Sequence, residues 1–139
     1  MTFRAADVLA LDVKFKTEIR IGAHRLLADE PTESGGADTG PEPHDFLLAA
    51  LGSCTSMTLR VYAERKGWPL TGVHVHLTQE RPQPQTAAPH KFHRTIELEG
   101  PLDEEQRARL LDIANKCPVY RTLTGGIAID SALGKAASP

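Results

Sequence analysis

The alternation of apolar and polar residues predicts a β-hairpin near the start of the chain. From Val13 to Ile21, apolar and charged residues alternate, which is the period of a half-buried strand. Gly22-Ala23 predicts a turn, and residues 24–29 can return as the second strand. Residues 31–43 are rich in glycine and proline and predict a loop.

From Pro43 to Lys66 the pattern becomes helical and mostly apolar. Pro43 suits a first helical turn, Asp45 is favourable against the helix dipole, and Gly67 is a plausible stop. The amino-terminal half is apolar all round, so we expect it to be buried on nearly every side in the centre of the fold. We expect one face to meet the core through Leu51, Cys54, Met57, Thr58 and Val61.

The second half of the chain predicts another pair of strands and a second helix. Residues 73–77 and 92–99 alternate as strands, and an exposed connection rich in Pro and Gln separates them at residues 81–90. Glu104 to Asn115 is amphipathic, with Asp103 as its cap and a buried stripe at Leu110, Leu111 and Ala114.

The end of the chain predicts a closing strand at Ile127 to Ile129 and a frayed tail over residues 134–139. The complete order is strand, strand, long helix, strand, strand, helix, strand. This order indicates an α+β fold and lacks the steady alternation of a doubly wound nucleotide-binding sheet.

Composition indicates one soluble domain over residues 1–139, since the chain is 40% hydrophobic and 24% charged. A net charge of −2 and only 5% aromatic residues disfavour nucleic acid and anionic membranes as partners. Met1 to Asp12 lacks the basic-then-apolar order of a signal peptide, and no stretch reads as a membrane span. We therefore expect a cytoplasmic protein.

The two cysteines, Cys54 and Cys117, are the residues most able to carry chemistry. Small neighbours surround Cys54 and would let a substrate approach its sulfur. Pro118 can occupy the first position of a helix and leave Cys117 at the N-cap, where backbone N–H groups stabilise a thiolate. The alternative is a pair of buried, inert thiols, which is the commoner fate of cytosolic cysteine.

Two segments resemble the signature segments of the OsmC/Ohr superfamily: GPEPHDFLLAALGSCT at residues 40–55 and NKCPVY at residues 115–120. The similarity also includes GGADTG at residues 35–40 and EGPLDEEQR at residues 99–107. It covers nearly the whole chain in matching order and is greatest to the OsmC-like redox-protein branch.

The resemblance implies an intertwined homodimer in which antiparallel sheets pack with a long central helix. By that likeness Cys54 is the peroxidatic thiolate that attacks a small organic or lipid hydroperoxide, and Cys117 is the resolving thiol that closes a disulfide. No bound cofactor is implied. An external thiol or dithiol would act as the reductant.

The resemblance also implies an arginine, held by a glutamate, that helps the alkoxide to leave. Where the hydroperoxide-resistance members carry that glutamate, this chain has His44, and Asp45 is the nearest acid. Asp45 is thus a candidate catalytic residue, or it serves only the helix amino terminus. Arg20 lies two residues after Glu18 in the alternating run, so we expect both to belong to the same solvent-facing side of the strand. Arg25 is therefore the preferred arginine, although it can equally be a solvated hairpin residue.

Two alternatives stay open. One is a zinc site formed by four histidines that could approach one another: His74, His76, His90 and His93. No carboxylate or cysteine is spaced to complete such a site, and histidines in this pattern are more commonly surface residues. On the same scaffold, the chain could instead be a non-catalytic protein that binds a hydrophobic small molecule in a pocket at the dimer interface, with the thiols as bystanders.

Overall fold

The computed structural model describes residues 4–134 and confirms the α+β class. Along these residues the α-helices and β-strands are β1 (Ala6–Ala10), β2 (Thr17–Ile21), β3 (His24–Ala28), α1 (Pro43–Lys66), β4 (Gly72–Glu80), β5 (Lys91–Glu99), α2 (Glu104–Ala114) and α3 (Pro118–Gly125). A short 3-10 turn occupies Thr32–Ser34 in the predicted loop.

The described residues form two compact units. The first unit comprises the chain up to Ser53 together with His76–Thr95, and the second comprises Cys54–Val75 together with the chain from Ile96 onward. The expectation of one domain over residues 1–139 stays a prediction.

The first unit contains an antiparallel sheet in the order β1-β2-β3. The hairpin of β2 and β3 is the predicted one, and Gly22 supplies its turn with a φ of 60°. The first strand of that hairpin begins at Thr17 and not at Val13, because residues 11–16 turn back through the hydrogen bond from Lys16 N–H to the Val13 carbonyl. Strand β1 was not predicted. All five of its residues are exposed, so it has no alternation between buried and exposed positions.

Asp29 fixes the loop that leads from β3 to α1. Its buried carboxylate accepts hydrogen bonds from the hydroxyl of Thr39 at 2.6 Å and from backbone N–H groups of Glu30, Ala37 and Thr39. The side-chain hydrogen bond from Thr39, followed by these N–H groups, lowers the pKa of Asp29 from 3.8 to about 2. The loop also requires glycine at position 36, because a Cβ there would collide with the Glu30 carbonyl.

Asp29 predicts a pH dependence of stability. Since its pKa is lower in the folded chain than in the unfolded one, its contribution is fully present above pH 3.8 and is lost as the pH falls towards 2. Asp29→Asn should lower the thermal unfolding midpoint at neutral pH and flatten its decline below pH 4. Asp38→Asn, at an exposed position of the same loop, is the control and should keep the wild-type slope. Parallel acid profiles of both variants would contradict this role.

Helix α1 begins and ends at the predicted residues, Pro43 and Lys66, and Gly67 follows it with a φ of 68°. The buried face differs from the predicted one. Met57 and Val61 are exposed, and Cys54 and Thr58 are only half-buried. The buried positions instead repeat every fourth residue, at Leu51, Thr55, Leu59 and Ala63, because residues four apart lie on one side of a helix.

The expectation that the first half of α1 is buried on nearly every side is wrong for the single chain. From Pro43 to Ala50 every residue is exposed or half-buried, and Leu47 is 40% exposed. By length and composition alone α1 could cross a membrane, with a mean hydropathy of 1.3 over its most apolar window, of which 22% is buried. The single chain therefore supplies too few neighbours to cover this helix.

Strands β4 and β5 form the second predicted antiparallel pair. Their alternation is as expected, since Phe92, Arg94, Ile96 and Leu98 are half-buried and the residues between them are exposed. The connection at residues 81–90 is almost entirely exposed, also as expected.

The core of the second unit lies between the end of α1 and α2. Asp103 caps α2 as predicted: its carboxylate accepts the Gln106 N–H at 2.7 Å, and the Gln106 side chain accepts the Asp103 N–H. Leu110 and Ala114 are buried as predicted, but Leu111 is 57% exposed and Ile113 takes its place. The buried cluster comprises Leu59, Ala63, Leu70, Leu102, Leu110, Ile113 and Ala114.

The end of the chain differs from the prediction. Residues 127–129 form no strand, and Ile127 and Ile129 are exposed, because none of the described strands runs beside them. Residues 118–125 instead form α3. The predicted fraying concerns residues 134–139, of which 135–139 lie outside the described residues.

Leu110 and Leu111 give a matched test of this packing. Leu110→Ala should lower the free energy of unfolding by about 3 kcal/mol, because it leaves a cavity at a fully buried site. Leu111→Ala, on the exposed side of the same helix, should lower it by less than about 1 kcal/mol. Urea denaturation followed by circular dichroism measures both values. Equal losses would mean that α2 packs through a different face.

Candidate functional site

Cys117 is the N-cap residue of α3, as the sequence predicts. Its Sγ accepts the Tyr120 N–H at 3.3 Å, and Pro118 occupies the first turn of the helix. The side chain is completely buried. The sulfur therefore lies at the amino end of α3, where a backbone N–H donates to it.

Thr55 is the second polar group at the Cys117 sulfur. Its Oγ1 lies 4.0 Å from Cys117 Sγ, and either atom can be the donor. Both residues have no exposed surface, so this contact is removed from water. Thr55 directly follows Cys54, and consecutive Cα atoms are only about 3.8 Å apart. The structure thus brings Cys117 against α1 at the residue next to Cys54.

Cys54 differs from Cys117 in its exposure. It is half-buried and a free thiol, whereas Cys117 is a free thiol without access to solvent. The residues before Cys54 are small, and Ser53 turns its hydroxyl back to the Ala49 carbonyl at 2.8 Å. Of the two cysteines, Cys54 is therefore the one with exposed surface.

Arg25 lies in the first unit, on β3, and binds the carboxylate of Glu18 on β2. Arg20 binds the other oxygen of the same carboxylate at 2.8 Å. Glu18 is only 6% exposed, so the expectation that it faces solvent is wrong; the two guanidinium groups neutralise its charge and cover it. Hydrogen bonds from Arg25, and then from Arg20, lower the pKa of Glu18.

Asp45 lies at the amino terminus of α1. Its Oδ2 accepts the Glu42 N–H at 3.0 Å, which matches the side-chain half of a capping box. His44, which takes the place of the family glutamate, stacks on His90 with ring centroids 5.0 Å apart. This contact is the one expected if Asp45 serves the amino terminus of α1. Its catalytic role stays a prediction.

One histidine of β4 and one of β5 contact carboxylates. His74 Nδ1 lies 3.3 Å from Glu97, and His93 Nε2 lies 2.5 Å from Glu80. Among residues 4–134, no three side chains of the kinds that bind metals come together. His74 and His93 therefore contact carboxylates of the neighbouring strand on an exposed face.

Sequence reasoning missed Thr55 and Glu18. Thr55 stands in the motif that drew attention to Cys54, yet its role depends on a contact with a residue 62 positions away. The only available signal was its place four residues after Leu51 on the buried side of α1. Glu18 gave no signal, because it stands within an alternating run of charges.

The family model for OsmC-like proteins matches residues 35–132, which include both cysteine segments. The chain belongs to the OsmC-like family. The match confirms the resemblance found in the sequence. No curated protein matches the chain.

Solved structures of other OsmC-like proteins share the fold. An OsmC-like protein from Mycoplasma pneumoniae superposes with a TM-score of 0.77 at 18% identity, over 89% of each chain. The organic hydroperoxide resistance protein OsmC of Legionella pneumophila gives 0.71 at 17% identity, over 90% of this chain and 91% of its own. The organic hydroperoxide resistance protein OhrB of Bacillus subtilis gives 0.61 at 16% identity, over 86% and 89%. At these identities the likeness concerns the fold.

Proposed function

We propose that this OsmC-like protein is a thiol-dependent peroxidase that reduces small organic or lipid hydroperoxides in the cytoplasm. Cys54 and Cys117 are its redox pair. One observation carries the proposal: Cys117, capped at α3, is buried against Thr55, the residue next to the more accessible Cys54. Two solved relatives of the same fold are organic hydroperoxide resistance proteins, which supports a role in oxidative stress.

In the first step the Cys54 thiolate attacks the terminal oxygen of the hydroperoxide. The O–O bond breaks, Cys54 becomes a sulfenic acid, and the alkoxide takes up a proton and leaves as an alcohol. The exposure of Cys54 supports its assignment to this step, since Cys117 has no surface that a peroxide could reach.

In the second step Cys117 attacks the oxidised sulfur of Cys54. A disulfide forms, and the hydroxyl of the sulfenic acid leaves as water with the Cys117 proton. An external thiol or dithiol then reduces the disulfide by exchange. Because Cys117 is buried, the external thiolate attacks Cys54, and Cys117 is the leaving thiolate.

The roles of Arg25 and Asp45 in alkoxide departure stay predictions. Arg25 has the partner that such a role requires, because the buried Glu18 carboxylate holds its guanidinium. The acid that orients Arg25 is then Glu18 and not the residue at position 44 or 45. The carboxylate of Asp45 is committed to the start of α1.

We also propose that two chains form the intertwined homodimer that the resemblance implies. Large apolar side chains of α1 stand exposed on the single chain, among them Leu47, Met57 and Val61. A partner chain that covers them would remove this surface from water, at about 25 cal/mol for each Å².

The redox roles predict a different failure for each cysteine variant. One equivalent of cumene hydroperoxide should join Cys54 to Cys117 in the wild type, with the loss of two hydrogens in the intact mass. Cys54→Ser should abolish peroxide consumption in the presence of dithiothreitol. Cys117→Ser should leave a sulfenic acid on Cys54 that a cyclic dione traps.

The control for these variants is Ser53→Ala, beside Cys54, which should keep turnover within about twofold. If both cysteine variants turned over at the wild-type rate, the peroxidase proposal would be wrong.

The homodimer predicts a solution mass twice that of one chain. Met57→Glu should weaken dimerisation by more than about tenfold, because it would bury a charge in an apolar interface. Arg60→Glu, at an exposed polar position of the same helix, is the control. Sedimentation equilibrium measures both, and a wild-type protein that stays monomeric at tens of micromolar would rule out the homodimer.

A second candidate function is the binding of a hydrophobic small molecule without catalysis. The observation that favours it is an apolar cavity of about 470 Å³ in the first unit, with Asp29 and Glu30 at its edge. Its apolar lining is supplied by Val8, Phe15, Ile19, Ala28, Pro43 and Phe46. On this alternative, ligand binding should survive replacement of both cysteines.

A further inference from the structure

Thr55 occupies a position that a nonpolar residue would fill more simply. It lies in the stripe of α1 formed by Leu51, Leu59 and Ala63, and it is as completely buried as Leu59. At this site Thr55 Oγ1 faces Cys117 Sγ at 4.0 Å.

We propose that Thr55 is a positioning residue for Cys117: its hydroxyl holds the Cys117 sulfur beside Cys54 and donates to the thiolate as the disulfide closes. This inference rests on the proposed redox pair and deepens it. As a thiol, Cys117 can donate its proton to Thr55 Oγ1; as a thiolate it only accepts, so the hydroxyl then becomes the donor.

The second donor to the same sulfur is the Tyr120 N–H at 3.3 Å. The two donors come from different elements, the interior face of α1 and the first turn of α3. Both contacts are to a sulfur whose residue has no exposed surface. When the disulfide closes, the proton of Cys117 leaves as water with the hydroxyl of the Cys54 sulfenic acid.

The closing step can be tested without peroxide. An aromatic disulfide reagent reacts with the thiolate of Cys54 to form a mixed disulfide and releases one coloured aromatic thiolate. Cys117 then attacks the Cys54 sulfur, the protein disulfide forms, and a second coloured thiolate leaves. Stopped-flow absorbance separates these two releases.

Two variants distinguish the effect of the Thr55 hydroxyl from the effect of its side-chain packing. Thr55→Val keeps the volume and removes the hydroxyl, so the second release should slow about tenfold while the first is unchanged. Thr55→Ser keeps the hydroxyl and loses a methyl group, so its second release should stay within about threefold of the wild type. If Thr55 served only packing, Thr55→Ser would be the slower variant.

Thr58→Val, one turn along α1, is the matched control and should leave both releases unchanged. The inference is overturned if Thr55→Val releases the second thiolate as fast as the wild type, or if the wild type releases none. Failure of the proposed function has a separate signature: the second release proceeds normally, but organic hydroperoxide oxidises neither cysteine.

Discussion

The packing of α1 on α2 is the interaction on which the chemistry of the second unit depends. Leu59 and Ala63 lie against Leu110 and Ala114 in one buried cluster, and this cluster fixes which side of α1 faces inward. Thr55 lies on the same side of α1, four residues before Leu59. Since α2 leads through a two-residue connection to Cys117, the same packing that buries Leu110 carries Cys117 to Thr55. The core therefore positions a thiol as well as stabilising the unit.

Two thiols of unlike environment result from this arrangement. Cys54 lies one residue from the buried stripe, and a step of one residue turns a helix by about 100°, so Cys54 stays half-buried while Thr55 has no exposed surface. Cys117 is enclosed and receives its stabilisation from a backbone N–H. In the proposed redox pair this difference would separate the two roles, because the more exposed residue could meet the substrate and the buried one would react only with its partner.

Local chemistry made much of the fold predictable. The limits of α1, the cap at Asp103 and the N-cap at Cys117 each follow from a few neighbouring residues, and the structure has all three.

Features set by distant partners were not predictable. Strand β1 has no buried face and owes its form to pairing with β2. The choice of Ile113 over Leu111 depends on the angle at which α2 meets the core, and the burial of Glu18 depends on two arginines that approach it together. At the site, the motifs identified both cysteines, but the contact of Thr55 with Cys117 requires the folded chain.

The amino-terminal half of α1 has properties opposite to those of its second half. It is the more apolar part and the less buried one, with Leu47 among its exposed side chains. Asp45 accepts the Glu42 N–H at its start, and Gly67 follows its end with a φ of 68°. Leu47 in this half, and Met57 and Val61 in the second half, expose apolar surface whose removal from water would favour association. Helix α1 thus has a stripe that its own chain buries, at Thr55, Leu59 and Ala63, and an exposed apolar surface, at Leu47, Met57 and Val61, that a partner chain would cover in the proposed homodimer.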